Sequence, residues 1–238
     1  MTKYLIVIIA ILVTGCATVA TSHRPSDYYK AGGNEANNEP LFGSTGESLG
    51  DIDIDRILNY ELKLPAQNRI AILKLSNDSY WRHYSNDFTQ LNETIARDFV
   101  GQLRESERVY DASFLPSMLV PEQRTVPYLR EAAARYQADL LLAYRSSCRT
   151  FEKYKFVDPN ETKAYCSVEV VLLDVRSGIV PFTVVSSNEF SARKELGDTN
   201  FNETIKKAEI AAVAESLKDS ATQLTSFLSS IGTLQQEL

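Results

Sequence analysis

The sequence predicts an α/β fold: a mixed β-sheet with helices in the order β-α-β-α-β-β-β-α, a single domain behind a flexible N-terminal tether. Three observations predict it. Between Arg69 and Tyr136, short apolar runs alternate with segments whose apolar residues recur at helical spacing, the pattern of strands joined through helices. Between residues 139 and 190, three stretches rich in branched and aromatic residues follow one another, as strands of a meander do. A last stripe of apolar residues at helical spacing closes the chain.

Folded sequence begins near Asp51. "RIAILKL" (69–75) is a short apolar run ending in a polar loop, as a buried strand would be. Phe88, Leu91, Ile95, Phe99 and Leu103 then make a helical stripe, with Ser85, Asn86 and Asp87 as N-cap candidates and Asp87 with Gln90 as a capping box. "RVYDASFL" (108–115) reads as the second strand. Pro116, Pro121 and Pro127 mark the next link; a helix starts at Thr125, where Pro127 suits the first turn, and buries Leu129, Ala132, Ala133 and Tyr136. The three strands of the meander are 139–151, 164–175 and 179–190. The last two join at "VRSG", where Gly178 takes the positive φ of a tight turn. Pro181 has no N–H to give a sheet ladder, which places the third strand at an edge or a bulge. The closing helix carries Ile205, Ile210, Val213, Leu217, Ala221, Leu224 and Leu228, with Asn200 or Asn202 as its cap. Two early strands joined through a helix imply a right-handed crossover, and the meander supplies the antiparallel part.

The chain has 238 residues, 44% of them hydrophobic, enough for one ordinary domain with a real core. Lys and Arg number 25 against 31 Asp and Glu, and the acidic excess is spread along the chain. Nucleic acid is therefore not an expected partner, because binding phosphate takes clustered cations. Residues 1–15 read as an export signal: Lys3 is the positive start, and Leu5 to Val13 is an apolar run of about nine residues, too short to span a bilayer. From residue 16 to about 50, Ser, Thr, Asn, Gly and Pro crowd together, and five of the ten glycines fall there. No period survives, so this reads as a tether with an r.m.s. span of about 30–35 Å. Its Tyr28-Tyr29 and Leu41-Phe42 pairs are open to two readings, docking motifs or an arm lying on its own domain. The organisation expected is signal 1–15, tether 16–50 and α/β domain 51–238.

Val13-Thr14-Gly15-Cys16 resembles a bacterial lipobox, with Val13 where Leu is commonest. The resemblance implies that Cys16 becomes the first mature residue, carrying a diacylglyceryl thioether and an N-terminal acyl chain such as palmitate. Three acyl chains exceed the two signals that stable anchoring needs. Ala17 rather than Asp follows, which by the same resemblance implies the outer membrane, with the domain facing the periplasm.

Three further phrases, "RIAILKLSN" (69–77), "LREAAARYQADLLLAYR" (129–145) and "LLDVRSGIV" (172–180), are similar to those of the TolB amino-terminal domain superfamily. That group includes curli secretion lipoproteins and outer-membrane lipoproteins that activate penicillin-binding proteins. The likeness covers about residues 69–228. It implies an accessory lipoprotein, not an enzyme, with an envelope protein partner; activation of a peptidoglycan synthase is the sharpest version. The alternative is a subunit of a curli-type secretion assembly. That architecture needs lipid-facing hairpins, whereas the longest insertion, residues 149–165, carries Arg149, Glu152, Lys153, Lys155, Asp158, Glu161 and Lys163. An envelope hydrolase is a third option for which no motif stands.

With Cys16 as an anchor, Cys148 and Cys166 remain. Export favours their pairing, and a hairpin turning near Val157 sets them opposite each other within disulfide range; two unpaired small hydrophobes is the other reading. His23 and His83 are the only histidines and no Cys-x-x-Cys occurs, so no metal site is expected. Nucleophile-elbow, Walker, zincin and dinucleotide motifs are all missing, so neither catalytic residues nor a cofactor are assigned. "DIDID" (51–55) reads as a strand or helix edge with Ile52 and Ile54 facing in, in preference to a cation site. The stretch that asks for a binding explanation is 77–87, which holds Tyr80, Trp81, Arg82, His83 and Tyr84. Trp, Tyr and Arg are the usual interface anchors, and a protein or a peptidoglycan sugar suits such faces; a loop folded back over the sheet end is the other reading. Oligomeric state stays open.

Overall fold

The computed structural model describes residues 28–34, 42, 50–75 and 86–234. Residues 1–15, Cys16 and the loop of Tyr80, Trp81, Arg82, His83 and Tyr84 lie outside the described residues. Among the described residues, six strands and four α-helices are found: β1 (Tyr28–Asn34), α1 (Asp51–Leu58), β2 (Asn68–Lys74), α2 (Asn86–Arg104), β3 (Val109–Phe114), α3 (Val126–Arg135), β4 (Leu140–Tyr154), β5 (Glu161–Asp174), β6 (Phe182–Arg193) and α4 (Phe201–Ser230). From β2 onward this is the expected order, and the fold is the expected α/β domain with a mixed sheet.

The strands run β3-β2-β4-β5-β6 across the sheet. β2 is parallel to β3 and β4, while β4, β5 and β6 form an antiparallel meander. β4 is 15 residues long, and its outer edge is shared. Its first part, Leu140–Tyr144, pairs with β2, and its last part, Cys148–Tyr154, pairs with β1. β1 and β2 thus lie end to end along one side of β4.

Successive strand residues point to opposite faces, and the upper sheet is covered on both. Ile70, Ile72, Leu140, Leu142, Val168, Val170 and Leu172 meet α2 and α4 through Phe99, Leu103, Leu217, Leu224 and Leu228. Ala71, Leu73, Leu141, Ala143 and Leu173 meet α3 through Leu129, Ala132 and Ala133. Burial on both sides is why Ile70–Leu73 is an unbroken apolar run. Each fully buried leucine, such as Leu224, contributes about 2 kcal/mol of transfer free energy. Gln137, at φ 57°, ends α3, and the Asp139 carboxylate then accepts the Arg69 backbone N–H at 3.0 Å. That bond ties the start of β4 to β2. Gly178 sits at φ 80° in the β5–β6 turn, and β6 begins directly after Pro181 as an edge strand. Asn200 caps α4, its side chain accepting the Glu203 N–H at 3.1 Å.

Three expectations differ from what is found. Tyr28–Asn34, inside the segment read as a tether, is a strand. Its pairing needs main chain rather than apolar side chains, so no period announces it. At Gly32 a Cβ would stand 3.0 Å from Glu152 Oε1 and 3.1 Å from Thr150 Oγ1, so the approach suits glycine. Phe42 is half-buried against the α3-side core, so of the two readings of that pair the arm on its own domain holds at Phe42. "DIDID" opens helix α1, but Ile52 and Ile54 do not face in: they are 71% and 42% exposed, and α1 buries no residue. Finally, the charged insertion of residues 149–165 continues β4 and β5 inside the same sheet, flanked by β1 and β6.

Candidate functional site

The length of the meander creates the site. At about 3.3 Å per residue, β4 runs close to 50 Å, whereas the ten-residue α3 spans about 15 Å. Helix α4, with 30 residues, follows the other face along its length, from Phe201 against Tyr154 to Leu228 in the main core. Among the described residues, no helix covers the α3 side of the lower meander. Odd-numbered residues of β4, β5 and β6 point to that side, as Leu141, Ala143 and Leu173 do higher up.

The open face is laid out in cross-strand rows. Arg145 donates to Glu169 at 2.8 Å, and Ser147 stands beside Ser167 at 3.5 Å. Arg149 lies opposite Tyr165, which lies opposite Glu189. Phe151 and Tyr165 meet edge to face with centroids 5.7 Å apart, and they are 52% and 42% exposed. Lys163 Nζ sits 4.9 Å from the Tyr165 ring centre and 2.8 Å from Glu189. In the last row, Glu161 holds both Lys155 and Arg193 at 2.7 Å. Between the Phe151–Lys163–Ser191 row and the Lys153–Glu161–Arg193 row lies an open groove of about 570 Å³.

These contacts set the charge of the face. The hydrogen bond from Lys163, partly opposed by desolvation, holds the Glu189 carboxyl below its usual range. The bond to Glu189, and then that to Tyr165, pushes the Lys163 ammonium up. The bond from Lys155 lowers Glu161 against a smaller desolvation effect, and the charges of Lys155, Arg193 and Lys153 add to it. Each group is thus held in its charged form at neutral pH. Arg145, Arg149, Lys153, Lys155, Lys163 and Arg193 outnumber Glu161, Glu169 and Glu189 two to one, in a chain of net charge −6. Arg149 makes no ion pair among the described residues.

Cys148 and Cys166 lie directly opposite each other and form a disulfide, with S–S 2.06 Å and Cα–Cα 4.1 Å. It is on the other side of the sheet, beneath Ala208 and Ala212 of α4, where Cys166 is 2% exposed and its Sγ is 3.4 Å from the Glu209 carbonyl oxygen. The bond staples the hairpin whose reverse side is the open face. Neither Cys16 nor the Tyr80–Tyr84 aromatics can be placed against it, since they fall outside the described residues.

Sequence reasoning missed this face, although it weighed several of its charges against lipid contact. The available signal is alternation: Arg149, Phe151 and Lys153 point one way, Thr150, Glu152 and Tyr154 the other. That signal is blurred because the covered side is polar too. Glu152 is buried and accepts from Tyr154 Oη at 2.7 Å, and Thr162 is buried with no hydrogen-bond partner for Oγ1 among the described residues.

Helix α1 is a second exposed feature, with none of its residues buried. Ile54, Ile57 and Leu58 share one stripe by their i, i+3, i+4 spacing, flanked by Asp51 and Asp55 on one side and Asp53 on the other. Gly50 gives it no side-chain cap; at its end Asn59 Nδ2 donates to the Asp55 carbonyl at 2.9 Å. Among the described residues no group of three or more His, Cys, Asp or Glu is arranged to hold a metal, and no helix is long and apolar enough to cross a membrane.

No protein-family profile matches the chain, and no curated protein matches it. Solved structures similar to it include the hypothetical protein CT253 from Chlamydia trachomatis, at 13% identity over 68% of this chain and 98% of that one, with a TM-score of 0.39. A minor lipoprotein from Acinetobacter baumannii is 9% identical over 70% of this chain and 97% of its own, TM-score 0.34. The C-terminal domain of LpoB from Salmonella enterica is 11% identical over 56% of this chain and 90% of its own, TM-score 0.28. Scores this low leave the functional reading to the chain's own residues.

Proposed function

We propose that this protein is an exported, lipid-anchored accessory protein of the cell envelope that works by binding a partner rather than by catalysis. The observation that carries the binding role is the open sheet face. Side chains that would normally be buried or dispersed, Phe151 and Tyr165 among fixed charges, are presented together on a disulfide-stapled hairpin. The Cys148–Cys166 bond supports export, because such bonds persist in oxidising compartments. Support for the anchor comes from Val13-Thr14-Gly15-Cys16 behind its apolar run.

The finer reading places Cys16 in the outer membrane with the domain in the periplasm, where it regulates or assembles an envelope complex; the Tyr80–Tyr84 aromatics are a second contact for the same partner. A peptidoglycan synthase is the partner proposed. In cells, Cys16→Ala should abolish incorporation of labelled palmitate and move the protein from the membrane to the soluble fraction. Retention of the variant in washed membranes would sink the anchor. Purified protein should raise the rate of glycan polymerisation by a peptidoglycan synthase in vitro, and Arg149→Glu should weaken that effect; no change in rate removes the synthase as partner.

A further inference from the structure

We infer that the end of the sheet where β4 turns into β5 lies on the bilayer that holds Cys16, with Phe156, Val157 and Leu196 in its headgroup–acyl boundary. The inference rests on the anchoring proposal and not on the partner proposed for the open face. Phe156 and Val157 are 81% and 90% exposed at the tip of the β4–β5 hairpin, and Leu196, in the β6–α4 turn, is fully exposed. The two turns are neighbours, because the Lys194 backbone N–H donates to the Asn160 carbonyl at 2.9 Å. Single apolar residues scattered over a surface are ordinary, whereas three gathered at one end of a sheet make a patch.

Contacts within this end hold it in shape. The Lys155 backbone N–H donates to Asn160 Oδ1 at 2.9 Å, which closes the tip with Phe156 and Val157 outside it. The Glu195 backbone N–H donates to Asp198 Oδ2 at 3.0 Å and fixes the turn that carries Leu196. Directly behind, Glu161 holds Lys155 and Arg193, both at 2.7 Å. No ion pair has to break for the apolar side chains to meet lipid. The charged row also limits depth: interfacial apolar side chains sink about 5–10 Å, so the tip enters the boundary and does not span.

Chain reach selects the lipid surface as the occupant. β1 begins at Tyr28, opposite Tyr154, so the chain from Cys16 arrives beside the tip. At no more than about 3.6 Å per residue, the chain from Cys16 to Tyr28 covers at most about 43 Å. That is less than the roughly 50 Å of β4. The tip is within easy reach of the bilayer, and the far end of β4 is out of reach even with the chain fully drawn out. Three side chains alone make a weak contact, but an anchor this near raises its effective concentration to about the millimolar range.

The test uses the full lipidated chain in vesicles of phosphatidylethanolamine and phosphatidylglycerol, with acyl chains brominated either near the headgroup or near the bilayer centre. Trp81 is the only tryptophan. On a Trp81→Phe background, Phe156→Trp, Leu196→Trp and Met118→Trp each place one indole at an exposed site, and circular dichroism checks folding. Met118 is exposed and follows β3, which lies level with the far part of β4 through β2. Flotation with the vesicles reports the anchor, and quenching reports the tip. The Phe156→Trp and Leu196→Trp indoles should lose at least about half their emission to shallow bromine and less to deep bromine, and the Met118→Trp indole should lose none. Adding Val157→Asp/Leu196→Asp to Phe156→Trp should restore most of the emission while the chain still floats. A chain that floats with its tip unquenched overturns the inference and leaves the anchor standing; one that does not float overturns both. Equal quenching at all three sites also overturns it, as does a tip indole with blue-shifted emission that bromine does not quench, which would assign the tip to a protein surface.

Discussion

Replacing Asp198 by Asn should cost this fold about 2 kcal/mol at neutral pH, and the cost should fade in acid. Asp198 sits just before α4 with a side chain only 2% exposed. Its carboxylate accepts from Lys207 Nζ at 2.6 Å, from Thr204 Oγ1 at 2.7 Å and from the Glu195 backbone N–H at 3.0 Å. Burial alone would raise its pKa; the bonds from Lys207, Thr204 and the Glu195 amide, with the Lys207 charge, outweigh it and bring the pKa from 3.8 down to about 2. At 1.36 kcal/mol per unit, that shift corresponds to about 2 kcal/mol of stability. The folded pKa is depressed, so this stability is fully present above the unfolded value near 3.8 and is lost as pH falls through about 2. Urea unfolding of wild type and Asp198→Asn at pH 7, 4 and 2 measures it, the difference between the proteins cancelling the other carboxylates. A gap near 2 kcal/mol at pH 7 that narrows steadily towards pH 2 is expected. Equal stabilities at pH 7, or a gap that does not change with pH, would refute the reasoning.

Three further outcomes follow from particular contacts. Gly32→Val should detach β1, since its Cβ would crowd Glu152 Oε1 and Thr150 Oγ1; amide exchange should quicken over residues 28–34 while the main thermal transition moves little. Cys148→Ala/Cys166→Ala, which removes a cross-link between residues 18 apart, should lower stability by about 3 kcal/mol in the chain-entropy model, and reductant should no longer affect unfolding. Gly178→Ala places a side chain at φ 80° and 3.0 Å from Arg130 Cδ; a loss of about 1–3 kcal/mol is expected in thermal unfolding.

What was legible in the sequence is what burial writes into it. β2 reads as a strand because both of its faces are covered, and α4 reads as a helix because Leu217, Ala221, Leu224 and Leu228 return to the same core. The Cys148–Cys166 pairing was legible because a hairpin turn near Val157 sets the register. Elements held by main chain or by nothing are poorly written. β1 uses Ala31, Gly32 and Gly33 to reach β4, which leaves a stretch indistinguishable from a linker. In α1, the Ile–Asp alternation suggests a buried side, but no described element covers it, so inside and outside lose their meaning. The open face failed for a third reason: polar residues lie on both sides of the lower meander, and strand alternation shows only when the two sides differ.

The end-to-end placement of β1 and β2 along β4 has a mechanical consequence. β1 is the first described element, so a pull on the chain ahead of Tyr28 loads its seven-residue ladder with β4 before it reaches the parallel β2–β4 pairing at the centre. The ladder acts as a fuse. It can give way and release roughly 20 Å of chain, seven residues at about 3.3 Å each, while the core, the disulfide and the presented face stay intact.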